Sequence, residues 1–158
     1  MISMIWAMDE SNLIGSNNKM PWHVKEDLIY YKNMTKDYPV VMGYNTYLSL
    51  LGYYEGKNFP YKKTYVLTSK ELFDSRVVKI NSVEEFVKNL DEDIFIVGGK
   101  NTYNQFYPYA DFLYVTYIKG LHSGDTYMEP IDLEKFSLIS EKNGESGKAR
   151  FTIYKRVR

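Results

Sequence analysis

The segment Met20-Pro21-Trp22-His23-Val24-Lys25-Glu26-Asp27-Leu28-Ile29-Tyr30-Tyr31 puts an acid where an acid is costly. Pro21 suits a loop or the start of a helix, and helical spacing follows it. Val24, Leu28 and Tyr31 fall at i, i+4 and i+7 as an apolar stripe, with Asp27 inside the stripe at i+3. Lys25, Glu26 and Lys32 are placed to face water. A carboxylate buried without partners costs several kcal/mol, so Asp27 must be hydrogen-bonded, paired or used. Two readings stand. Asp27 either caps backbone or pairs with a lysine, or its proton affinity is raised by desolvation and it hydrogen-bonds a planar nitrogenous ligand. Met20 and Trp22, on the loop before it, either cover such a ligand or pack in the core. His23 reads as an exposed residue near a helix start, and His122, in Leu121-His-Ser-Gly-Asp125, as a turn residue.

The second chemical signal is a pair of glycine-to-helix junctions. Val40-Val41-Met42 ends at Gly43 and runs into a helix-like Tyr44 to Leu51; Ile94 to Val97 ends at Gly98-Gly99 and runs into Asn101 to Tyr107. A glycine at a helix N-terminus leaves backbone N–H groups and a positive dipole end open to phosphate. Each junction alone is equally a tight turn. Two in one small α/β chain suggest a ligand with phosphates in two places, such as a dinucleotide. Neither is a standard fingerprint: there is no G-x-G-x-x-G, and Gly98-Gly99-Lys100-Asn101 lacks the Ser/Thr and earlier glycine of a P-loop.

These residues need a scaffold, and the pattern specifies one. Val40 to Met42, Thr64 to Leu67 and Ile94 to Val97 are short apolar or β-branched runs that read as strands. Ser82-Val-Glu-Glu85 is a capping-box pattern opening a helix to about Leu90. After Pro108, Phe112 to Lys119, Phe136 to Glu141 and Arg150 to Arg156 read as successive strands, the last two joined by a Gly144 to Gly147 loop. Alternating strands and helices call for a mostly parallel sheet covered on both faces, and the closing run of strands for an antiparallel hairpin added to it. The expected fold is α/β: a single domain over residues 1–158, one sheet of about eight strands and about four flanking helices. No internal repeat, low-complexity tract or linker interrupts it.

Composition narrows the function classes. Lys plus Arg and Asp plus Glu are each 20, so the formal net charge is zero. That argues against nucleic acid or an anionic membrane as partner, both of which need a cationic surplus. Without cysteine, a disulfide framework, a thiolate metal site and a cysteine nucleophile are excluded, and two histidines are too few for the usual zinc centre. No metal is expected. The apolar start Met1 to Met8 stops at Asp9-Glu10, carries no basic leader and is too short to span a bilayer, so a cytoplasmic protein is expected. Arginine occurs only at 76, 150, 156 and 158, against sixteen lysines, as in a genome that disfavours arginine codons.

Taken together, Leu13-Ile14-Gly15, Met20-Pro21-Trp22, Asp27-Leu28, Val41-Met42-Gly43 with Thr46, Leu67-Thr68-Ser69, Val97-Gly98-Gly99, Tyr103 and Gly124-Asp125-Thr126 resemble dihydrofolate reductase. They follow that family's order and nearly its spacing across almost the whole chain. The resemblance implies reduction of 7,8-dihydrofolate to tetrahydrofolate with NADPH, supporting one-carbon metabolism and thymidylate synthesis. It implies that Asp27 holds the pterin through its 2-amino group and ring nitrogen and favours protonation at N5, with Thr116 hydrogen-bonding Asp27. Met20 and Trp22 would belong to a mobile loop shielding the nicotinamide, buttressed by the loop of Gly124, Asp125 and Thr126. Ile5, Ala7, Leu28, Tyr31 and Leu50 would line the pterin and aminobenzoyl pocket, with Val97 and Tyr103 near the nicotinamide. Ala7, Ile14 and Gly15 would also touch the cofactor. Gly43, Asn45, Thr46 and Gly98, Gly99, Lys100, Asn101, Thr102 would cradle its pyrophosphate, and Thr68 and Ser69 would approach its adenosine. Diaminopyrimidine antifolates would bind, and the protein would be a monomer.

The family's arginines are missing. Tyr44 follows Gly43, leaving Asn45, Thr46, Ser69 and Lys70 for the NADP 2′-phosphate. Counting back from Leu67 puts Lys62 where an arginine would grip the substrate's glutamate tail, with Lys57 a second candidate because the loop from Gly52 to Tyr61 is long. Two rivals remain. A reductase of riboflavin synthesis would share the fold without relying on the MPW-x₄-D motif, and a non-catalytic binding protein would leave Asp27 unexplained.

Overall fold

In the computed structural model, which describes residues 1–15 and 19–158, the N-terminal run Ile2–Met8 is strand β1 and is buried along its full length. It is followed by β2 (Leu13–Gly15), α1 (Lys25–Thr35), β3 (Pro39–Gly43), α2 (Tyr44–Leu51), β4 (Lys63–Leu67) and β5 (Val77–Ile80). Then come α3 (Val83–Lys88), β6 (Ile94–Ile96), α4 (Lys100–Phe106), β7 (Phe112–Ile118), β8 (Thr126–Tyr127), β9 (Phe136–Asn143) and β10 (Ala149–Arg156). Eight strands form one sheet in the order β5-β4-β3-β6-β1-β7-β10-β9, and β2 and β8 form a separate two-stranded ribbon. Every pairing from β5 to β7 is parallel; β10 runs antiparallel to β7 and β9 antiparallel to β10. The expected architecture is the one observed.

Strand β1 explains itself by position. Flanked by β6 and β7, it is covered on both faces, which permits a continuous apolar run rather than an alternating one. The alternation appears instead in which face each side chain reaches. Met4, Trp6, Val41, Ile94 and Ile96 enter a core with Phe106 and Leu113, whereas Ile5, Val40, Met42 and Phe95 enter a second core with Tyr47 and Phe59. Helices α3 and α4 cover the first face, α1 and α2 the second.

The helices sit close to where the pattern puts them. Ser82 caps α3 by accepting a hydrogen bond from the Glu85 N–H at 3.2 Å, and the helix ends at Lys88. Helix α1 begins at Lys25 rather than just after Pro21, because Val24 is the extended residue before its first turn. Glu26 does not simply face water: its carboxylate accepts hydrogen bonds from the backbone and hydroxyl of Ser146, in the β9–β10 turn. Strands β1 and β5 and the β2–β8 ribbon are elements the pattern did not announce.

Candidate active site

A cleft of about 920 Å³ opens at the C-terminal ends of the parallel strands, where α/β sheets place their ligands. The register of β1 against β7 pairs Ala7 with Thr116, and α1 crosses above them. Asp27, in the first turn of α1, reaches the same wall with 6% of its surface exposed. Burial pushes its pKa up, a hydrogen bond from Thr116 opposes the rise, and the neighbouring Glu26 charge adds to it. Glu26 is itself held below the usual carboxylate range, first by the Ser146 hydroxyl, and so remains a charge beside Asp27. The site thus holds one buried acid, oriented by one hydroxyl, facing an apolar wall of Ile5, Ala7 and Leu28. That suits a flat ligand presenting N–H donors.

The two glycine junctions meet because β3 and β6 are neighbours. The Gly43 N–H donates to the Gly98 carbonyl at 2.8 Å. A Cβ on Gly43 would lie 2.5 Å from the Thr102 hydroxyl, and one on Gly98, whose φ is +132°, would lie 3.2 Å from the Thr46 hydroxyl. At Gly43 something must shift to admit a side chain; at Gly98 the fit is tight and the backbone also favours glycine. Gly43 and Gly99 are the residues capping α2 and α4, and neither helix start receives a side-chain cap. Two adjacent helix starts therefore leave first-turn N–H groups open at the cleft, among Asn45, Thr46, Lys100 and Asn101. Further along, Thr68, Ser69, Lys70 and Asn81 line the wall. The Lys70 ammonium stands 5.3 Å from the Tyr44 ring centroid, and Lys79 donates to the Ser69 carbonyl at 3.3 Å. This surface fits a dinucleotide cofactor: a tight glycine cradle, open N–H donors, and cations at one end.

Asp9, which the pattern did not single out, ties the segment leading into β2 to the segment leading into β8. It is fully buried and accepts hydrogen bonds from the Ser11 N–H and hydroxyl, the Leu13 N–H and the His122 N–H at 2.7 to 3.0 Å. Burial would raise its pKa, but these donors outweigh it and hold the carboxyl at about 2. His122 is therefore more than a turn residue: its backbone ties to Asp9 and its ring packs edge-on against Trp22, with centroids 5.4 Å apart. The Asp125 N–H donates to the Gly15 carbonyl at 3.1 Å, fastening the same two segments again.

The cleft gathers Asp27, Met20, Thr116, Ile5, Ala7, Leu28, Tyr31, Leu50, Val97, Ile14, Gly15, Thr102 and Tyr103 with both glycine junctions and Thr68-Ser69. Two expected residues stand apart. Trp22 packs in the cluster of Ala7, Val24 and Ile118, behind the wall rather than on it. Lys62 is 64% exposed and pairs with Glu92 at 3.7 Å, because adjacent residues on a chain entering a strand project to opposite sides, and Tyr61 takes the inward one. Lys57 does not reach the cleft either; its carbonyl accepts from Arg76 at 2.8 Å. Tyr30, Tyr61, Asn81 and Gln105 line the cleft without having been anticipated. Among the described residues no group of His, Cys, Asp and Glu could hold a metal.

A family model described as dihydrofolate reductase matches residues 1–158. The dihydrofolate reductase of Bacillus subtilis is 36% identical over 149 residues, covering 91% of this chain and 84% of the relative. That of Staphylococcus haemolyticus is 31% identical over 165 residues, covering 99% and 96%. A solved structure of dihydrofolate reductase from Enterococcus faecalis complexed with NADP(H) and RAB-propyl superposes with a TM-score of 0.85 at 28% identity, covering 100% of this chain and 97% of that one.

Proposed function

The chain belongs to the dihydrofolate reductase family and reduces 7,8-dihydrofolate to 5,6,7,8-tetrahydrofolate with NADPH; on that premise we propose that Asp27 is the residue on which the chemistry turns. The observation that carries the proposal is a carboxyl buried to 6% exposure on the cleft wall, hydrogen-bonded by Thr116 and otherwise facing space for a ligand. In this reading Asp27 accepts from the pterin's 2-amino group and ring nitrogen, fixing the ring against Ile5, Ala7 and Leu28. The negative charge of its ionised form, little screened in the buried site, favours protonation at N5 of the bound pterin. Thr116 positions the carboxyl. Met20 closes over the ring and keeps bulk water away.

Gly43, Asn45, Thr46, Gly98, Gly99, Lys100, Asn101 and Thr102 would hold the cofactor's pyrophosphate, Ala7, Ile14, Gly15, Val97 and Tyr103 its nicotinamide, and Thr68, Ser69 and Lys70 its adenosine. NADPH bound there supplies the hydride. Diaminopyrimidine antifolates suit the same acid, since they present paired N–H donors to a carboxylate. In this reading the protein is a monomer of the cytoplasm; its balanced charge supports a partner set without nucleic acid or an anionic membrane, and among the described residues no helix is long and apolar enough to cross a membrane. The test is NADPH oxidation on adding dihydrofolate, followed by absorbance. Wild type should turn over, and Asp27→Asn should lose most of the rate at pH 7; an Asn variant with full activity would remove Asp27 from the mechanism.

A further inference from the structure

Tyr31, on α1, and Tyr61, on the segment entering β4, touch across the cleft with their hydroxyl oxygens 2.8 Å apart. Two hydroxyls carry two protons, and their mutual bond uses one. The other proton has no protein acceptor among the described contacts, and both side chains line the cleft. A part-buried donor left over on a cleft wall is a place for a ligand oxygen. Burial pushes both phenols above the ordinary tyrosine range, so the pair stays neutral and keeps both protons at any physiological pH.

The position says which part of the ligand. Tyr31 follows Asp27 by four residues, one turn and about 6 Å further along the same face of α1. Resting on the reading of Asp27 as the pterin anchor, we propose that Tyr61, with Tyr31, is a specificity-determining residue that donates to a carbonyl or carboxylate oxygen of dihydrofolate's aminobenzoyl-glutamate side chain. The surrounding wall, Leu28 and Leu50, offers no charge, and Lys62 points to Glu92 instead. The pair therefore recognises the tail by one neutral hydrogen bond. Because the tail is bound alike before and during hydride transfer, the contribution falls on KM and not on kcat.

Tyr→Phe removes only the hydroxyl and keeps the packed ring. Either hydroxyl can serve as donor once its partner is gone, so the decisive variant is Tyr31→Phe/Tyr61→Phe. Steady-state kinetics are measured with dihydrofolate and with a dihydropterin that lacks the aminobenzoyl-glutamate tail. The double variant should raise KM for dihydrofolate about tenfold, the scale of one buried hydrogen bond, with kcat and the tail-less KM within twofold of wild type. Each single variant should show a smaller rise. An unchanged dihydrofolate KM, or an equal change for both substrates, would overturn the role. A wild-type chain that reduces neither substrate would instead overturn the reading of the site, and the pair's role with it.

Discussion

Two buried carboxyls behave oppositely: at Asp27 burial raises the pKa more than the Thr116 hydrogen bond lowers it, whereas at Asp9 the hydrogen-bond donors outweigh burial. Asp9 is fully buried beneath donors from Ser11, Leu13 and His122. Its pKa of about 2 lies below the unfolded value, so its stabilisation is complete above about pH 4 and lost as pH falls from 4 towards 2. Chemical denaturation of wild type and Asp9→Asn should give a difference of about 2 kcal/mol at pH 7 that shrinks towards pH 2. A difference independent of pH would mean that shape, not charge, is what Asp9 supplies. Asp27 was legible in the sequence because a carboxylate inside an apolar helical stripe is anomalous on its own; Asp9 was not, because an acid after an apolar run looks like the start of a loop. Lys62 shows the opposite failure. Counting from Leu67 finds the right segment but cannot tell which side of the chain a lysine leaves, and the structure pairs it with Glu92. Lys62→Ala is expected to leave the dihydrofolate KM within twofold; a tenfold rise would show that the lysine leaves Glu92 for the substrate.

At the scale of elements, the glycine junctions were readable as turns before helices, but their facing each other was not. It follows from β3 and β6 being adjacent although some fifty residues separate Gly43 from Gly98, a long-range pairing that local periodicity does not encode. The contact makes a sharp test. Gly43→Ala puts a methyl 2.5 Å from the Thr102 hydroxyl, so either that hydroxyl rotates out of the junction or the α2 and α4 starts move apart. Melting temperature should fall and KM for NADPH should rise at least tenfold with less change in KM for dihydrofolate; equal changes in both would place the damage in the whole fold. Strand β5 and the loop from Gly52 to Tyr61 were opaque for a related reason. Arg76 holds that loop by donating to the Tyr54 and Lys57 carbonyls at 2.6 and 2.8 Å while gripping Asp74 and stacking over Phe59. A scarce arginine is spent on building the wall that carries Tyr61.

Across the whole molecule, arginine scarcity shapes how this enzyme meets its charged ligands. At the end of the cleft proposed for the adenosine, Lys70 lies over Tyr44, and Lys79 sits beside Ser69. Lysines bind a phosphate as point charges, without the bidentate fork of arginine. NADPH is therefore expected to be preferred over NADH, with Tyr44→Arg widening the ratio and Lys70→Ala narrowing it about tenfold, as read from kcat/KM for both cofactors. A ratio untouched by Lys70→Ala would assign the phosphate to other groups. The central claim is that one buried acid, oriented by Thr116, both holds the pterin and favours its protonation. It is tested most directly by the pH dependence of hydride transfer in wild type and Asp27→Asn, measured in single turnovers with NADPH and dihydrofolate. The variant should be slower by about 10²-fold or more at pH 7, the size of an acid–base contribution, and the gap should close towards low pH, where the substrate arrives protonated. A loss of the same size at every pH would contradict the protonation role, and no loss at all would contradict the site.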